Sequence, residues 1–180
     1  MKHWVGINKA SLAETTPPDY EFDYVDIGAV ATGTLVTRPE RMRFGSAPSR
    51  ARRSIRAGDT IVSMVRTYLS ATYTFRAVTE PLVCSTGFAV LTPRAATESG
   101  FVGYTCQSRG FTDWVTAASV GVAYPAVSEA KLGDYRAVVP PPDEQAGIVR
   151  FLDHMDRRVQ RYIRAKQKLI KLLEEQKQAI

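Results

Sequence analysis

The feature that most constrains this chain is its last 38 residues, Asp143 to Ile180, which hold no proline and one glycine, Gly147. They are rich in Arg, Lys, Gln, Glu, Leu and Ile, and they follow the run Pro140-Pro141-Pro142. Proline at or just before a first turn is compatible with a helix start, and Asp143 and Glu144 suit the positive end of the helix dipole. The stretch therefore predicts one long helix, about 57 Å at 1.5 Å per residue, which exceeds the width of the domain it leaves. Its apolar positions are Ile148, Leu152, Met155, Val159, Tyr162, Leu169 and Leu173, with Ile180 at the end. The steps up to Tyr162 alternate four and three, a heptad seam. Lys166 and Gln176 fill two seam positions with polar groups. A lone helix would leave this stripe wet, so the pattern calls for a second helix, within or between chains, or for folding back on its own domain.

Upstream the texture is different. Pro17-Pro18-Asp19 is a turn, and Tyr24-Val25-Asp26-Ile27 reads as a strand leading to Gly28. Thr60 to Arg66, Tyr73-Thr74-Phe75, Leu82 to Ser85 and Gly87 to Pro93 read as short strands rich in β-branched and aromatic residues. Gly100 to Thr116 has apolar residues at helical spacing, weakened by Gly103 and Gly110. Val138-Val139 reads as a final strand before the prolines. The expected architecture is α+β: a β-rich domain over residues 1–142, then a long C-terminal helix over 143–180 forming a coiled coil.

Net charge is +6 over 180 residues, and its location matters more than its size. Arg38, Arg41, Arg43, Arg50, Arg52, Arg53 and Arg56 face one acid, Glu40, in a single segment, and seven minus one is again +6. With Gly45 and Pro48 among small residues, that segment reads as a mobile loop, with a strand or helix fragment possible near its end. Arginine's planar fork suits phosphates and guanine edges better than lysine does. A solvated basic loop, or a patch drawn to RNA or membrane, is the plainer alternative. Arg66 and Tyr68 fall at a strand end, Arg109 adds a further base, and Ser119 to Pro125 forms a Gly-containing turn with Ser119 and Tyr124. The candidate DNA-contacting set is thus Arg38, Arg41, Arg43, Arg50, Arg52, Arg53, Arg66, Tyr68, Arg109, Ser119 and Tyr124. Tyr68 and Tyr124 also suit core or rim positions.

Catalytic signals are sparse. The sequence has no phosphate loop, no G-x-G-x-x-G and no G-x-S-x-G. Asp23 and Asp26 read as turn formers or caps, and a strand would put them on opposite faces. Cys84 and Cys106 are too few for a disulfide framework and read as small buried apolar residues. No Cys/His spacing suggests a metal, no cofactor is expected, and no stretch is long and apolar enough to span a membrane. A cytoplasmic, non-catalytic binding protein is expected. The alternatives are a coiled-coil protein-binding adaptor without DNA affinity and a small DNA-modifying enzyme.

The segment Tyr135 to Asp153, with Pro140-Pro141-x-x-Glu144-Gln145-x-x-Ile148-x-x-x-Leu152-Asp153, resembles the junction between recognition domain and spacer helix in type I restriction–modification specificity subunits. Gln167 to Ile180 is similar to that helix. Ala57 to Arg66, Ser85 to Leu91 and Ser119 to Pro125 resemble further family stretches, so the likeness covers roughly residues 24–180. It implies a target recognition domain that reads half of a split site on double-stranded DNA. It also implies a helix that packs antiparallel with a second one to fix the spacing. The implied partners are methyltransferase (modification) subunits and a restriction subunit, which carry the catalysis. The chain has one recognition domain and one helix where the family has two of each. A half-length form that pairs with itself as a homodimer, or a piece of a longer polypeptide, is expected. A self-paired half would read a palindromic split site.

Overall fold

Side chains along one central strand alternate between two cores, and this alternation organises the molecule. In this computed structural model, which describes residues 1–178, strand β10 (Phe88–Pro93) sends Ala89 and Leu91 to one face and Phe88 and Val90 to the other. Successive residues of a strand point to opposite faces, so a strand apolar on both faces must be covered on both.

Among the described residues, ten strands, four α-helices and three short 3-10 turns account for the regular structure. The first sheet has the order β1-β10-β7-β8, with β1 (Val5–Ile7), β7 (Thr60–Ser63) and β8 (Thr72–Thr74), all antiparallel. The second has the order β5-β2-β9-β6, with β2 (Glu21–Val25), β5 (Glu40–Arg43), β6 (Ala51–Ile55) and β9 (Leu82–Ser85). Within this sheet β2 and β9 run parallel and the other two pairs run antiparallel. A short hairpin joins β3 (Val30–Ala31) to β4 (Thr34–Leu35). One face of the first sheet packs on helices α1 (Ser99–Gln107) and α2 (Arg109–Ala118) through Val102, Cys106, Phe111 and Val115. Its other face meets the second sheet through Ile61, Phe88, Val90, Val25, Leu82 and Cys84. A third cluster, Phe22, Tyr24, Ala51 and Val83, closes the outer face of the second sheet. A short helix, α3 (Glu129–Gly133), precedes the junction, and α4 runs from Pro142 to Gln178.

Three expectations need correction. The arginine-rich segment is not a mobile loop: it supplies β5 and β6, because Met42, Ala51 and Ile55 point inward between the arginines. Gly100 to Thr116 is two helices rather than one, broken at Ser108, whose hydroxyl accepts from the Phe111 amide and caps α2. Val138-Val139 forms no strand; it runs as an exposed connection toward α4. Cys84 and Cys106 are buried free thiols, and burial pushes the Cys84 thiol up to about 12.

Candidate nucleic-acid interface and helix seam

Three of the seven arginines in the arginine-rich segment, Arg41, Arg43 and Arg50, are ion-paired to acids by the fold. Antiparallel pairing sets Asp23 opposite Arg41 and Glu21 opposite Arg43. Arg41 reaches Asp23 and Glu80 at 3.4 Å and Glu21 at 3.6 Å, and Arg43 reaches Glu21 at 3.2 Å. Cross-strand pairs of opposite charge support the sheet. Arg50 holds Asp26 at 3.1 Å and donates to the Tyr24 hydroxyl at 3.2 Å. Arg52 lies over the Phe44 ring at 4.5 Å and donates to the Ala51 carbonyl at 2.9 Å. Arg53 turns inward: one guanidinium nitrogen is buried with no hydrogen-bond partner among the described residues, and burial lowers its pKa. Arg38 is exposed. The signal that would have shown this pairing lies in the sequence: acids at 21 and 23 have the same two-residue period as bases at 41 and 43.

The structure gathers a different group of candidates at one end of the first sheet. Arg66 and Ser70 both take left-handed backbone, at φ 50°, and flank a 3-10 turn, Thr67–Leu69, that exposes Tyr68 and Leu69. Non-glycine residues in this region cost roughly 1–3 kcal/mol each and cluster where function holds them. The segment 119–126 folds against this turn. Val120 and Ala126 exchange backbone hydrogen bonds at 2.9 and 3.0 Å, and Val65 bridges Ala126. The Ser119 and Thr67 hydroxyls lie 2.7 Å apart. The Arg66 guanidinium sits 5.3 Å from the Tyr124 ring centroid, within cation–π range. Arg66, Tyr68, Ser119 and Tyr124 are separated by up to 58 positions in sequence, yet they form one corner in which Arg66, Tyr68 and Tyr124 are exposed and Ser119 is half-buried. Arg109 is exposed at the start of α2, beside Asp113 at 3.4 Å, and does not touch that corner through any hydrogen bond or ion pair among the described residues.

The long helix is anchored by residues outside its heptad seam. Gln145 is 1% exposed. Its carboxamide accepts from the Glu98 amide at 2.9 Å and donates to the Pro140 carbonyl at 2.8 Å and the Ala96 carbonyl at 3.2 Å. Val149 packs beside Gly100, where an added Cβ would come within 2.8 Å of it. Asp153 forms an ion pair with Arg76, one contact of which is 2.7 Å, and accepts from the Tyr104 hydroxyl at 2.6 Å. Arg76 holds the Asp153 carboxyl below the usual carboxylate range against the opposing effect of burial, and Tyr104 adds to it. Burial, then the neighbouring carboxylate, pushes Tyr104 up to about 12. Past this anchor, Met155, Val159, Tyr162, Leu169 and Leu173 are exposed; Ile148 and Leu152 are half-buried. The seam itself is not what docks the helix on its own domain. Ile180 lies outside the described residues. No helix among the described residues is long and apolar enough to cross a membrane.

No protein-family model and no curated protein matches the chain. Solved structures do. The HsdS subunit from Thermoanaerobacter tengcongensis is 31% identical, with TM-score 0.76 over 88% of this chain and 42% of that one. A chain solved for the complex assembly and conformational transition of the type I R-M system is 30% identical, with TM-score 0.75 over 92% of this chain and 45% of that one. The S subunit of a type I restriction–modification system from M. genitalium, at 13% identity and TM-score 0.54, shares the fold. The class defined by this fold is therefore a strand-rich domain mounted on the start of a long helix, as in the halves of those subunits. Over about nine-tenths of its length the chain is similar in fold, at about 30% identity, to type I restriction–modification specificity subunits. It spans about half the length of the solved members it matches.

Proposed function

We propose that this chain binds duplex DNA sequence-specifically and serves as the specificity component of a type I restriction–modification system. Residues 1–142 act as the target recognition domain, and residues 143–180 act as the spacer and pairing helix. Methyltransferase and restriction subunits perform the chemistry on the site it selects, and the chain itself contributes no catalytic group. The observation that carries this reading is the fold shared with specificity subunits at about 30% identity, together with the corner that exposes Arg66, Tyr68 and Tyr124.

The corner has the parts that DNA recognition needs. A guanidinium presents two parallel donors to a guanine edge in the major groove, and a good bidentate pair discriminates by about 1–3 kcal/mol. Hydroxyls of Tyr68 and Tyr124 add donors and acceptors for phosphates or bases, whereas the Ser119 hydroxyl donates to the Val115 carbonyl and braces Thr67. Arg38 is exposed and adds phosphate contact in this reading, whereas Arg41, Arg43 and Arg50 would first have to leave their carboxylates. Arg109 is a peripheral candidate.

Pairing follows from the uncovered seam. A second helix, from another copy or from a second recognition half, would cover Ile148, Leu152, Met155, Val159, Tyr162, Leu169 and Leu173. Linking two half-site contacts through a stiff spacer raises selectivity through effective concentration without new contacts. The test is selection of bound sequences from a random duplex library, followed by a gel-shift titration of the winners across salt concentrations. Enrichment of a defined half-site, repeated as a palindrome if the chain pairs with itself, is expected. Failure to enrich any sequence would overturn the proposal and leave a coiled-coil adaptor.

A further inference from the structure

The tip of the 119–126 segment exposes apolar side chains beside the charged Arg66. From Ala118 to Ser128 there is no charged residue. Val122 is 103% exposed and Val120 is 80% exposed, so two branched aliphatic side chains stand clear of the domain. Gly121 makes this possible. Its φ is 109°, and an added Cβ would meet the Tyr124 carbonyl oxygen at 3.2 Å, so glycine's freedom turns the chain between the two valines. Below the tip, the backbone pairing of Val120 with Ala126 and the hydroxyl contact between Thr67 and Ser119 hold the segment in place. The apolar tip is therefore a fixed projection beside the Arg66 guanidinium.

We propose that this tip reads the 5-methyl group of a thymine, with Val122 as the specificity-determining residue and Val120 beside it. The inference rests on the DNA-binding reading above and specifies what its site recognises. A loop that gripped phosphate would carry Lys, Arg or a row of free amides. This one offers methyl groups at the outermost point, and the thymine methyl is the apolar feature of the major-groove edge. The neighbouring Arg66, oriented by the Tyr124 ring, supplies the polar contact that an aliphatic tip lacks. A protein partner would also accept exposed valines, but the Arg66 guanidinium and the exposed Tyr68 beside them favour a base edge.

The experiment exchanges each thymine of the selected duplex for uracil, which removes the methyl and keeps every hydrogen-bonding group. One uracil position in the half-site should weaken binding about three- to fivefold, the value of one apolar carbon removed from water. Val122→Ala should weaken binding to the thymine duplex and lose most of the distinction between thymine and uracil there. Arg66→Ala should weaken both duplexes and keep that distinction. A scan in which no uracil matters, with the wild-type chain still binding its selected site, overturns this proposal and leaves the DNA-binding reading standing. A persistent uracil effect in Val122→Ala also overturns it. If no duplex is selected at all, both fail together.

Discussion

The Gln145 side-chain carbonyl accepts a hydrogen bond from the Glu98 backbone amide at 2.9 Å, tying the first turn of the long helix to the residue that caps α1. Glu98 in turn accepts from the Phe101 amide at 2.8 Å. One buried carboxamide thus aligns the starts of two helices, and its own two amide protons go to the Pro140 and Ala96 carbonyls. Every group is satisfied, which is what makes a buried polar side chain tolerable. Replacing Gln145 with Leu removes the side-chain hydrogen-bonding groups and leaves one amide and two carbonyls in need of partners, at about 1–3 kcal/mol for an unsatisfied buried group. Gln145→Leu should lower the thermal midpoint and speed hydrogen exchange at the Glu98 amide, read by mass spectrometry or NMR. Unchanged exchange there would show that the carboxamide does not join the two elements.

The Arg76–Asp153–Tyr104 contact predicts two pH windows. Asp153 has a folded pKa below its unfolded value, near 3.9. The unfolded chain therefore binds the proton first as pH falls, and the stabilisation, fully present above about pH 4, is lost as pH drops through the folded pKa. Tyr104 has the opposite sense. Its folded pKa is raised to about 12, so its contribution is present below about pH 10 and is lost as pH rises toward 12. Asp153→Asn should flatten the acid arm of a stability profile and Tyr104→Phe the alkaline arm. Because Arg76 is 60% exposed, the ion pair's share is expected to be modest, about 1 kcal/mol or less. Urea melts at several pH values measure both arms.

Arginines singled out by density and by geometry should behave differently. Arg66→Ala should cost about 1–3 kcal/mol of specific DNA affinity, as expected for loss of a base-edge contact. The double substitution Arg41→Ala, Arg43→Ala should leave affinity within about threefold, since those side chains are engaged with Glu21, Asp23 and Glu80 at the surface. Gel-shift titration at fixed salt compares them. A large loss in the double variant with none in Arg66→Ala would return the contact surface to the arginine-rich strands.

What the sequence made legible and what it hid divide along physical lines. The long helix could be read because proline punctuation and a heptad period are local properties of the chain. The short strands could be read because branched and aromatic residues cluster in them. The charge of residues 38–56 misled because an arginine's fate depends on what its strand pairs with, and β5 pairs with acids about twenty positions upstream. The inward residues Met42, Ala51 and Ile55 were a period-two hint of strands that the arginines obscured. The corner of Arg66, Tyr68, Ser119 and Tyr124 was legible as residues, whereas its assembly depended on contacts across some fifty positions. Gln145 stood inside the junction motif, but only the fold shows that it is the buried pin.

The seam yields the sharpest test of assembly, because anchoring and pairing use different residues. Gln145, Val149 and Asp153 hold the helix to its own domain, while Val159 and Leu169 stand exposed beyond them. An exposed apolar stripe on a helix this long is stable in water only with a partner, and burying it against another helix stabilises the pair by about 25 cal/mol per Å² of apolar surface. Placing a carboxylate at two seam positions puts charge where a partner's apolar side chains would have to pack, and each unpaired buried charge opposes association strongly. The double substitution Val159→Asp, Leu169→Asp should therefore dissociate the paired form in sedimentation equilibrium. The same variant should keep the wild-type thermal midpoint of the strand-rich domain, measured at concentrations where both chains are monomeric, because neither residue touches the core. Its DNA half-site affinity should persist as monomer binding, while the added affinity of a two-half duplex disappears. A wild-type chain that sediments as a monomer at high micromolar concentration would remove self-pairing from consideration and assign the seam to a helix from a different chain or from a longer polypeptide.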